Sequence, residues 1–309
     1  MNHFAKTPRS IRGDTILVSI DRGAVLKQIS NTLYINQLIE NDLAFQALVR
    51  LQQKAGTIKS GEYELSPAMS PAYLLDLLCR GKVKRYRITI PEGLTVAEIA
   101  QKIEATGLGE KTKFMELAHN PSFCATLGIP ASHLEGYLFP DTYFFEKSTP
   151  TPRLITTMVK RFKAMFPPEW EALAKARGLS LHQVVTLASI IEKETGTPRE
   201  RPLISSVFHN RLKQKMRLQS DPTVIYGIAN FNGNLTRRDL KTPTPYNTYT
   251  IKGLPPGPIA NPGRQSLEAA LFPVESKFRY FVSKNDTTHY FSETLKEHNR
   301  AVRKYQRGR

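Results

Sequence analysis

A strand followed by a helix is the first pattern in the distribution of apolar residues. Over residues 16–20, β-branched side chains occupy every second position, as in a half-buried strand. After a turn signal at 22–23, apolar residues recur every four positions over 25–33, which is typical of one helix face. The same order returns about 70 residues later, over 86–90 and 96–103. The repetition predicts small strand–turn–helix modules, of the kind that serve as binding accessories.

Further elements are predicted between and before these modules. Residues 60–65 have the pattern of a short strand. Ser70 with Pro71 is a typical helix start, the helix continues through Leu78, and Gly81 is a typical residue at its end. We therefore predict a polar N-terminal tail over 1–15, an N-terminal α+β module over 16–84 and a second module over 85–133.

The C-terminal half contains the clearest helix of the chain, between Ser180 and Gly196. Ser180 and Gln183 have the spacing of a capping box, in which each side chain satisfies a free backbone amide of the first turn. A further helix is predicted near 203–212. A long, Pro/Gly/Asn-rich but ordered loop over 221–263 precedes a closing hairpin over 280–291 and a terminal helix. We expect an α+β fold in which a mixed α+β domain occupies 134–309.

Glu194 is the strongest candidate for chemistry. It follows two isoleucines by three and four residues and Leu187 by seven, so it shares the apolar face of its helix. It also lies in the last turn, where the helix dipole disfavours a negative charge. Burial and the dipole both raise the pKa of this carboxyl, and a general acid at neutral pH requires a raised pKa. Glu192, on the neighbouring face, is the weaker candidate. A glutamate at a frayed helix end is the alternative interpretation.

Clusters of aromatic and polar residues have the composition of a carbohydrate groove. Aromatic faces pack against sugar rings, while amides and carboxylates bind hydroxyl groups. The same segments also fit turns that bind no ligand, and the residues alone do not decide between the two interpretations. The candidate substrate-binding residues are Glu135, Asp141, Tyr143, Glu192, Gln219, Asp221, Tyr246, Asn247 and Tyr249.

Charge and composition limit the choice of partners. The 309 residues carry a formal net charge of +17, which favours nucleic acid, anionic lipid or an anionic wall polymer. No recognisable nucleic-acid-binding motif accompanies the charge, so we expect no nucleic acid partner. Cys79, Cys124 and the scattered histidines lack the spacing of a metal site, and we expect neither a metal nor a cofactor. Without an apolar segment of about 20 residues or a signal peptide, the chain as written is expected to be soluble.

Several segments, taken together in their order and spacing, are much more specific for a protein family than any one of them alone. They are 134–143 (LEGYLFPDTY), 188–195 (ASIIEKET), 207–212 (VFHNRL), 216–227 (MRLQSDPTVIYG), 246–251 (YNTYTI) and 253–259 (GLPPGPI). Together they resemble the endolytic murein transglycosylase family (YceG-like), with weaker similarity back to about residue 16. The family's catalytic glutamate matches Glu194.

The resemblance implies a lyase with one catalytic glutamate and no cofactor. It would cleave the bond between N-acetylmuramic acid and N-acetylglucosamine in peptidoglycan strands and form a 1,6-anhydro ring. For the groups that stabilise the developing positive charge, we predict Gln219, Asn247 and Tyr249. It also implies that 134–309 is the catalytic domain and that the N-terminal part contains a LysM-like module, assigned to 85–133.

The resemblance further implies a setting in the cell envelope. Family members usually carry a membrane-spanning helix before this region, so we expect the periplasmic face of the inner membrane, with contact through a missing anchor or the basic surface. The expected partners are glycan strands and the peptidoglycan synthases (penicillin-binding proteins). The alternative is a non-catalytic glycan-binding or scaffold protein of the wall-synthesis machinery.

Overall fold

The computed structural model describes residues 2–306 as helices combined with two-stranded sheets. The predicted α+β class is confirmed. The chain divides into two compact units. Unit 1 comprises Met1–Ile88 and Phe144–Thr149, and unit 2 comprises Thr89–Tyr143 and Pro150–Arg309.

Unit 1 is built on an antiparallel pair of strands. β1 pairs with β2 so that Val18 lies opposite Tyr63, and both side chains are buried. The helix that follows β1 packs against it, as the spacing of the apolar residues predicts. The elements are α1 (Asn2–Lys6), β1 (Ile16–Ile20), α2 (Leu26–Ile35), α3 (Asp42–Leu51), β2 (Gly61–Leu65), α4 (Pro71–Arg80) and β3 (Tyr86–Thr89), whose last residue belongs to unit 2.

The ends of α4 show how local sequence determines where a helix begins and ends. The hydroxyl of Ser70 accepts a hydrogen bond from the amide of Tyr73, and Pro71 occupies the first turn, where no amide donor is needed. Gly81 ends the helix with a φ of 65°, in the left-handed region that favours glycine. The predicted start and end of this helix are confirmed.

Unit 2 is mostly helical and ends in a hairpin and a helix. β5 and β6 are antiparallel, with Val282 opposite Tyr290. The predicted hairpin and terminal helix are both confirmed. The elements are α5 (Val96–Ala105), α6 (Lys111–Ala118), α7 (Pro121–Thr126), β4 (Thr142–Phe145, the last two residues in unit 1), α8 (Thr151–Met165), α9 (Pro168–Ala176), α10 (Leu181–Glu194), α11 (Arg201–Lys213), α12 (Asp221–Tyr226), α13 (Arg237–Lys241), α14 (Arg264–Leu271), β5 (Tyr280–Ser283), β6 (His289–Ser292) and α15 (Leu295–Gln306).

α10 forms the centre of unit 2. Its capping box is present: Ser180 and Gln183 exchange hydrogen bonds between side chain and backbone. Every residue from 184 to 191 is buried, because α9, α11, α12 and α14 all pack around the helix. A helix buried on all sides fixes its last residue firmly, and that residue is Glu194.

The compact units divide the chain differently from the three predicted modules. The predicted boundary at 133/134 falls inside unit 2, where α6 packs against both α5 and α8. The predicted tail over 1–15 contains α1, which packs against α3 and α4. The assignment of a LysM-like module to 85–133 stays a prediction. Within residues 2–306, each helix is too short or too polar to span a membrane.

Candidate active site

The C-terminal end of α10 places Glu194 at the wall of a cleft. The helix ends at Glu194, and Thr195 turns into extended backbone with φ −145° and ψ 133°. The apolar residues before it are buried, whereas Glu194 itself is partly exposed. The carboxyl group therefore has a dry surrounding on the helix side and an opening on the other.

Burial raises the pKa of Glu194 to about 7. The negative charge of Asp221 acts in the same direction, because a second carboxylate nearby disfavours ionisation. The hydroxyl of Ser220, which donates a hydrogen bond to Oε1 of Glu194, and the charge of Arg211 act in the opposite direction. The effect of burial is the largest, so a substantial fraction of this carboxyl is protonated at neutral pH.

Ser220 is held in place by a network of buried hydroxyl groups. Its amide donates to Oγ1 of Thr248 at 3.0 Å, and its carbonyl accepts from Oγ1 of Thr223 at 2.6 Å. The two threonine hydroxyls are themselves 2.8 Å apart. Gln219, directly before the serine, has a φ of 51°, an uncommon conformation for a residue with a side chain. The network fixes the hydroxyl that contacts the carboxyl of Glu194.

The cleft has a volume of about 530 Å³, and its walls come from two parts of unit 2. Glu194, Gln219, Asp221 and Tyr249 lie on one wall, where the hydroxyl of Tyr249 donates to Oδ1 of Asp221 at 2.6 Å. The other wall comes from the β5–β6 hairpin and α15. The α15 residues at the cleft recur at helical spacing and are Leu295, His298, Asn299, Val302 and Gln306.

Four of the predicted site residues therefore meet in one place. They are Glu194, Gln219, Asp221 and Tyr249. The remaining six do not line this cleft. Each of them forms hydrogen bonds, ion pairs or ring contacts within the protein.

Glu192 is bound in a buried ion pair. Its Oε1 accepts from Nη2 of Arg201 at 3.0 Å, and its Oε2 accepts from the amide of Gly263 at 2.9 Å. The side chain is only 6% exposed. Glu192 therefore links α10 to α11 and to the start of α14, and the structure does not bring it to the cleft.

Glu135 accepts hydrogen bonds at the start of α5. Its carboxylate receives the amide of Val96 at 3.1 and 3.2 Å, the side-chain amide of Asn261 at 3.0 Å and the hydroxyl of Tyr226 at 3.2 Å. Burial raises its pKa to about 8, although these donors favour the ionised form. Glu135 lies at the wall of another cavity, away from Glu194.

Asp141 and Tyr143 stand near β4 and bind within the protein. Asp141 pairs with Arg161 at 2.6 Å, and the hydroxyl of Tyr143 donates to the carbonyl of Phe139 at 2.6 Å. Neither side chain belongs to the lining of the cleft around Glu194.

Tyr246 and Asn247 shape the loop after α13. The ring of Tyr246 lies 4.8 Å from that of Tyr226. The fully buried amide of Asn247 accepts from the amide of Tyr249 at 2.9 Å. It also donates to three carbonyls, those of Asp239, Leu240 and Thr242. Asn247 therefore positions Tyr249 without reaching the cleft.

Sequence reasoning missed several residues that the structure brings to Glu194. Ser220 and Arg211 lie in segments that carried the family resemblance, but neither was singled out. The cleft wall formed by α15 was also missed. Its signal was present in the recurrence of Leu295, His298 and Val302 on one face of a basic helix.

Comparisons with known proteins identify the family of the chain. A model of the YceG-like family matches residues 18–304. An endolytic murein transglycosylase of Bacillus subtilis is 34% identical over 94% of this chain and 85% of its own length. One of Streptococcus pneumoniae is 29% identical over 93% of this chain, which spans 58% of that longer protein. The crystal structure of a YceG-like protein from Listeria monocytogenes is similar, with a TM-score of 0.65, 36% identity and coverage of 93% of this chain and 98% of that one. The chain belongs to the YceG-like family.

Proposed function

We propose that this protein is a peptidoglycan lytic transglycosylase that cleaves glycan strands internally. The similar proteins of Bacillus subtilis and Streptococcus pneumoniae are endolytic murein transglycosylases, and the first is covered over most of its length. In the reaction, the bond between N-acetylmuramic acid and N-acetylglucosamine breaks, and the muramyl unit closes a 1,6-anhydro ring.

The observation that carries this proposal is the raised pKa of Glu194 at the wall of a cleft. Its pKa of about 7 means that a substantial fraction of the carboxyl groups holds a proton at neutral pH. A general acid works best with a pKa near the working pH, because it must hold a proton and still release it. The group lies at the wall of a cleft, where a bound strand would reach it.

One carboxyl group is enough for the proposed reaction. Glu194 donates its proton to the glycosidic oxygen as the bond to C1 of the muramyl unit breaks. The resulting carboxylate then accepts the proton of the C6 hydroxyl, whose oxygen forms the new bond to C1. Because this nucleophile belongs to the substrate, it is already positioned, whereas hydrolytic glycosidases usually employ a second carboxyl group to aim water or attack.

The other groups of the wall stabilise the positive charge that develops on the sugar ring. Asp221 supplies a negative charge, and the hydroxyl of Tyr249 holds its orientation. Gln219 offers a side-chain amide on the same wall. Asn247, predicted to act beside them, contributes by orienting Tyr249.

The proposed substrate places the protein in the cell envelope. The finer location, on the periplasmic face of the inner membrane, and the partnership with peptidoglycan synthases belong to this proposal. The net charge of +17 supports binding to an anionic wall polymer or an anionic membrane surface.

Purified glycan strands provide the direct test of the reaction. Wild-type protein should release fragments with 1,6-anhydro ends, identified by mass spectrometry. Glu194→Gln should lower their release about 10²- to 10⁴-fold, because the amide cannot transfer the proton. Glu192→Gln is the matched control two residues away, and it should keep turnover at temperatures where it remains folded.

Two results would contradict the proposal. If Glu194→Gln releases anhydro ends at the wild-type rate, Glu194 is not the acid. If folded wild-type protein binds strands but produces no ends, the non-catalytic scaffold is the correct interpretation.

A further inference from the structure

Two buried arginines on α11 differ in their partners. Arg201 is ion-paired with Glu192 at 3.0 Å and with Glu92 at 3.4 Å. Arg211, ten positions later, is equally buried, but no carboxylate lies within 4.0 Å of it among residues 2–306. A buried cation without a counter-charge is costly, and buried charges in proteins are usually paired.

The hydrogen bonds of Arg211 leave one nitrogen free. Nε donates to the carbonyl of Arg279 at 2.6 Å, and Nη1 donates to the carbonyl of Leu218 at 2.7 Å. Nη2 has no acceptor in the described part of the chain. The guanidinium lines the cleft that contains Glu194, so this free donor is available to a bound molecule.

Glu194 and Asp221 do not neutralise Arg211. Glu194 is bound by the hydroxyl of Ser220 and holds a proton when it acts as the acid. Asp221 is bound by the hydroxyl of Tyr249. The cleft therefore contains an arginine whose charge no protein carboxylate contacts directly within residues 2–306.

His298 lines the same cleft. Its Nδ1 is buried and has no hydrogen-bond partner in residues 2–306. The ring stacks on Tyr280 with centroids 5.3 Å apart, and Arg211 lies 5.3 Å from the same tyrosine ring. Both groups therefore border one aromatic side chain. α15, which carries His298, also has four basic residues against one acidic residue, Glu297.

We propose that Arg211 and His298 form a binding site for a carboxylate on the side group of the muramyl unit. This inference rests on the proposed function. Only every second sugar of the strand carries the acidic lactyl group or the peptide attached to it. A carboxylate site near Glu194 would therefore select the register of the strand and present the bond at C1 of a muramyl unit to the acid.

Binding to a variant that cannot turn over tests this site separately from catalysis. In a Glu194→Gln background, the affinities of two disaccharides are measured by calorimetry or NMR titration. One contains N-acetylmuramic acid linked to N-acetylglucosamine, and the other contains two N-acetylglucosamine units and no carboxylate. The muramyl disaccharide should bind at least about tenfold more tightly, as expected for a charge-assisted hydrogen bond.

Arg211→Lys should bring the two affinities to within about twofold. The single ammonium group of lysine cannot donate to the carbonyls of Leu218 and Arg279 and also to the carboxylate of the ligand. Arg201→Lys is the matched control: another buried arginine of α11 is changed, and the preference should persist. His298→Ala, on the partly exposed α15, should reduce the preference without the folding risk of Arg211→Lys. Circular dichroism establishes that each variant is folded.

A muramyl disaccharide with a dipeptide distinguishes the source of the carboxylate, because its lactyl acid is converted to an amide. Tight binding of this ligand assigns the site to the peptide carboxylate, and weak binding assigns it to the lactyl acid. Equal affinity for the two original disaccharides would overturn the inference, as would a preference that survives both Arg211→Lys and His298→Ala. Failure of the proposed function would appear differently, as absent turnover by wild-type protein.

Discussion

Glu135 and Glu194 are two carboxyl groups whose pKa values are raised by burial, to about 8 and about 7. Their surroundings are otherwise different. Glu135 accepts hydrogen bonds from Val96, Tyr226 and Asn261, so both of its oxygens are occupied. Glu194 is bound by one hydroxyl and is partly open to the cleft.

The difference shows why a raised pKa does not by itself identify a catalytic acid. Burial favours the protonated form of each group, but a proton is useful only where a substrate oxygen can approach it. Glu135 also lies at the wall of a cavity, but the protein's own donors bind both of its oxygens and join α5 to the loop before α14. Among residues 2–306, the carboxyl of Glu194 accepts a hydrogen bond from Ser220 alone. The same residue type stabilises the fold at one place and is available for chemistry at the other.

The largest expected effect is on stability. Glu135→Ala leaves an amide, a hydroxyl and a side-chain amide without their acceptor, and should lower the free energy of unfolding by about 3 kcal/mol. Glu194→Gln should change it by less than about 1 kcal/mol, because the amide oxygen still accepts from Ser220. Urea unfolding of both variants at pH 7 measures the difference. A larger loss for Glu194→Gln than for Glu135→Ala would reverse the roles assigned to the two groups.

A smaller effect should appear in the pH dependence of turnover. In the proposed reaction the protonated form of Glu194 is the acid, so the rate should fall as pH rises above about 7. Ser220 stabilises the charged form, so Ser220→Ala should raise the pKa of Glu194 and move this decline to higher pH. Asp221 destabilises the charged form, so Asp221→Asn should move the decline to lower pH.

Rates at a series of pH values from 5 to 9 would resolve these opposite shifts. At pH 8 we expect a change of roughly threefold to tenfold in each direction, relative to the maximum rate of each variant. Shifts of the same sign in both variants would show that Ser220 and Asp221 do not act through the charge of Glu194.

The sequence predicted best what depends on near neighbours along the chain. The bounds of α10 follow from its capping box and apolar spacing, and both signals lie within a few residues of Ser180 and Glu194. β1, α2, β2 and α4 of unit 1 and the terminal hairpin follow from equally local patterns, whereas α1 and α3 were not predicted. The apolar face of α10 also predicted the raised pKa of Glu194.

The rest of the site depends on residues that are distant in sequence. Ser220 contacts a carboxyl group 26 positions earlier, and Arg211 binds a carbonyl 68 positions later. Glu135 and Asn247 were predicted to bind substrate, but neither lines the cleft. They stand in polar, aromatic segments that fit a sugar groove, yet the structure uses them to satisfy buried backbone and side-chain groups. Only the packing of distant segments distinguishes these two uses.

The most direct test of the account is a titration of the glutamate carboxyl carbons by ¹³C NMR. Spectra of wild-type protein, Glu194→Gln and Glu135→Gln would assign the two unusual groups by the loss of their signals. We expect the carboxyl of Glu194 to titrate near pH 7. A midpoint near the ordinary glutamate value of about 4.3 would mean that Glu194 is ionised at neutral pH and cannot be the acid.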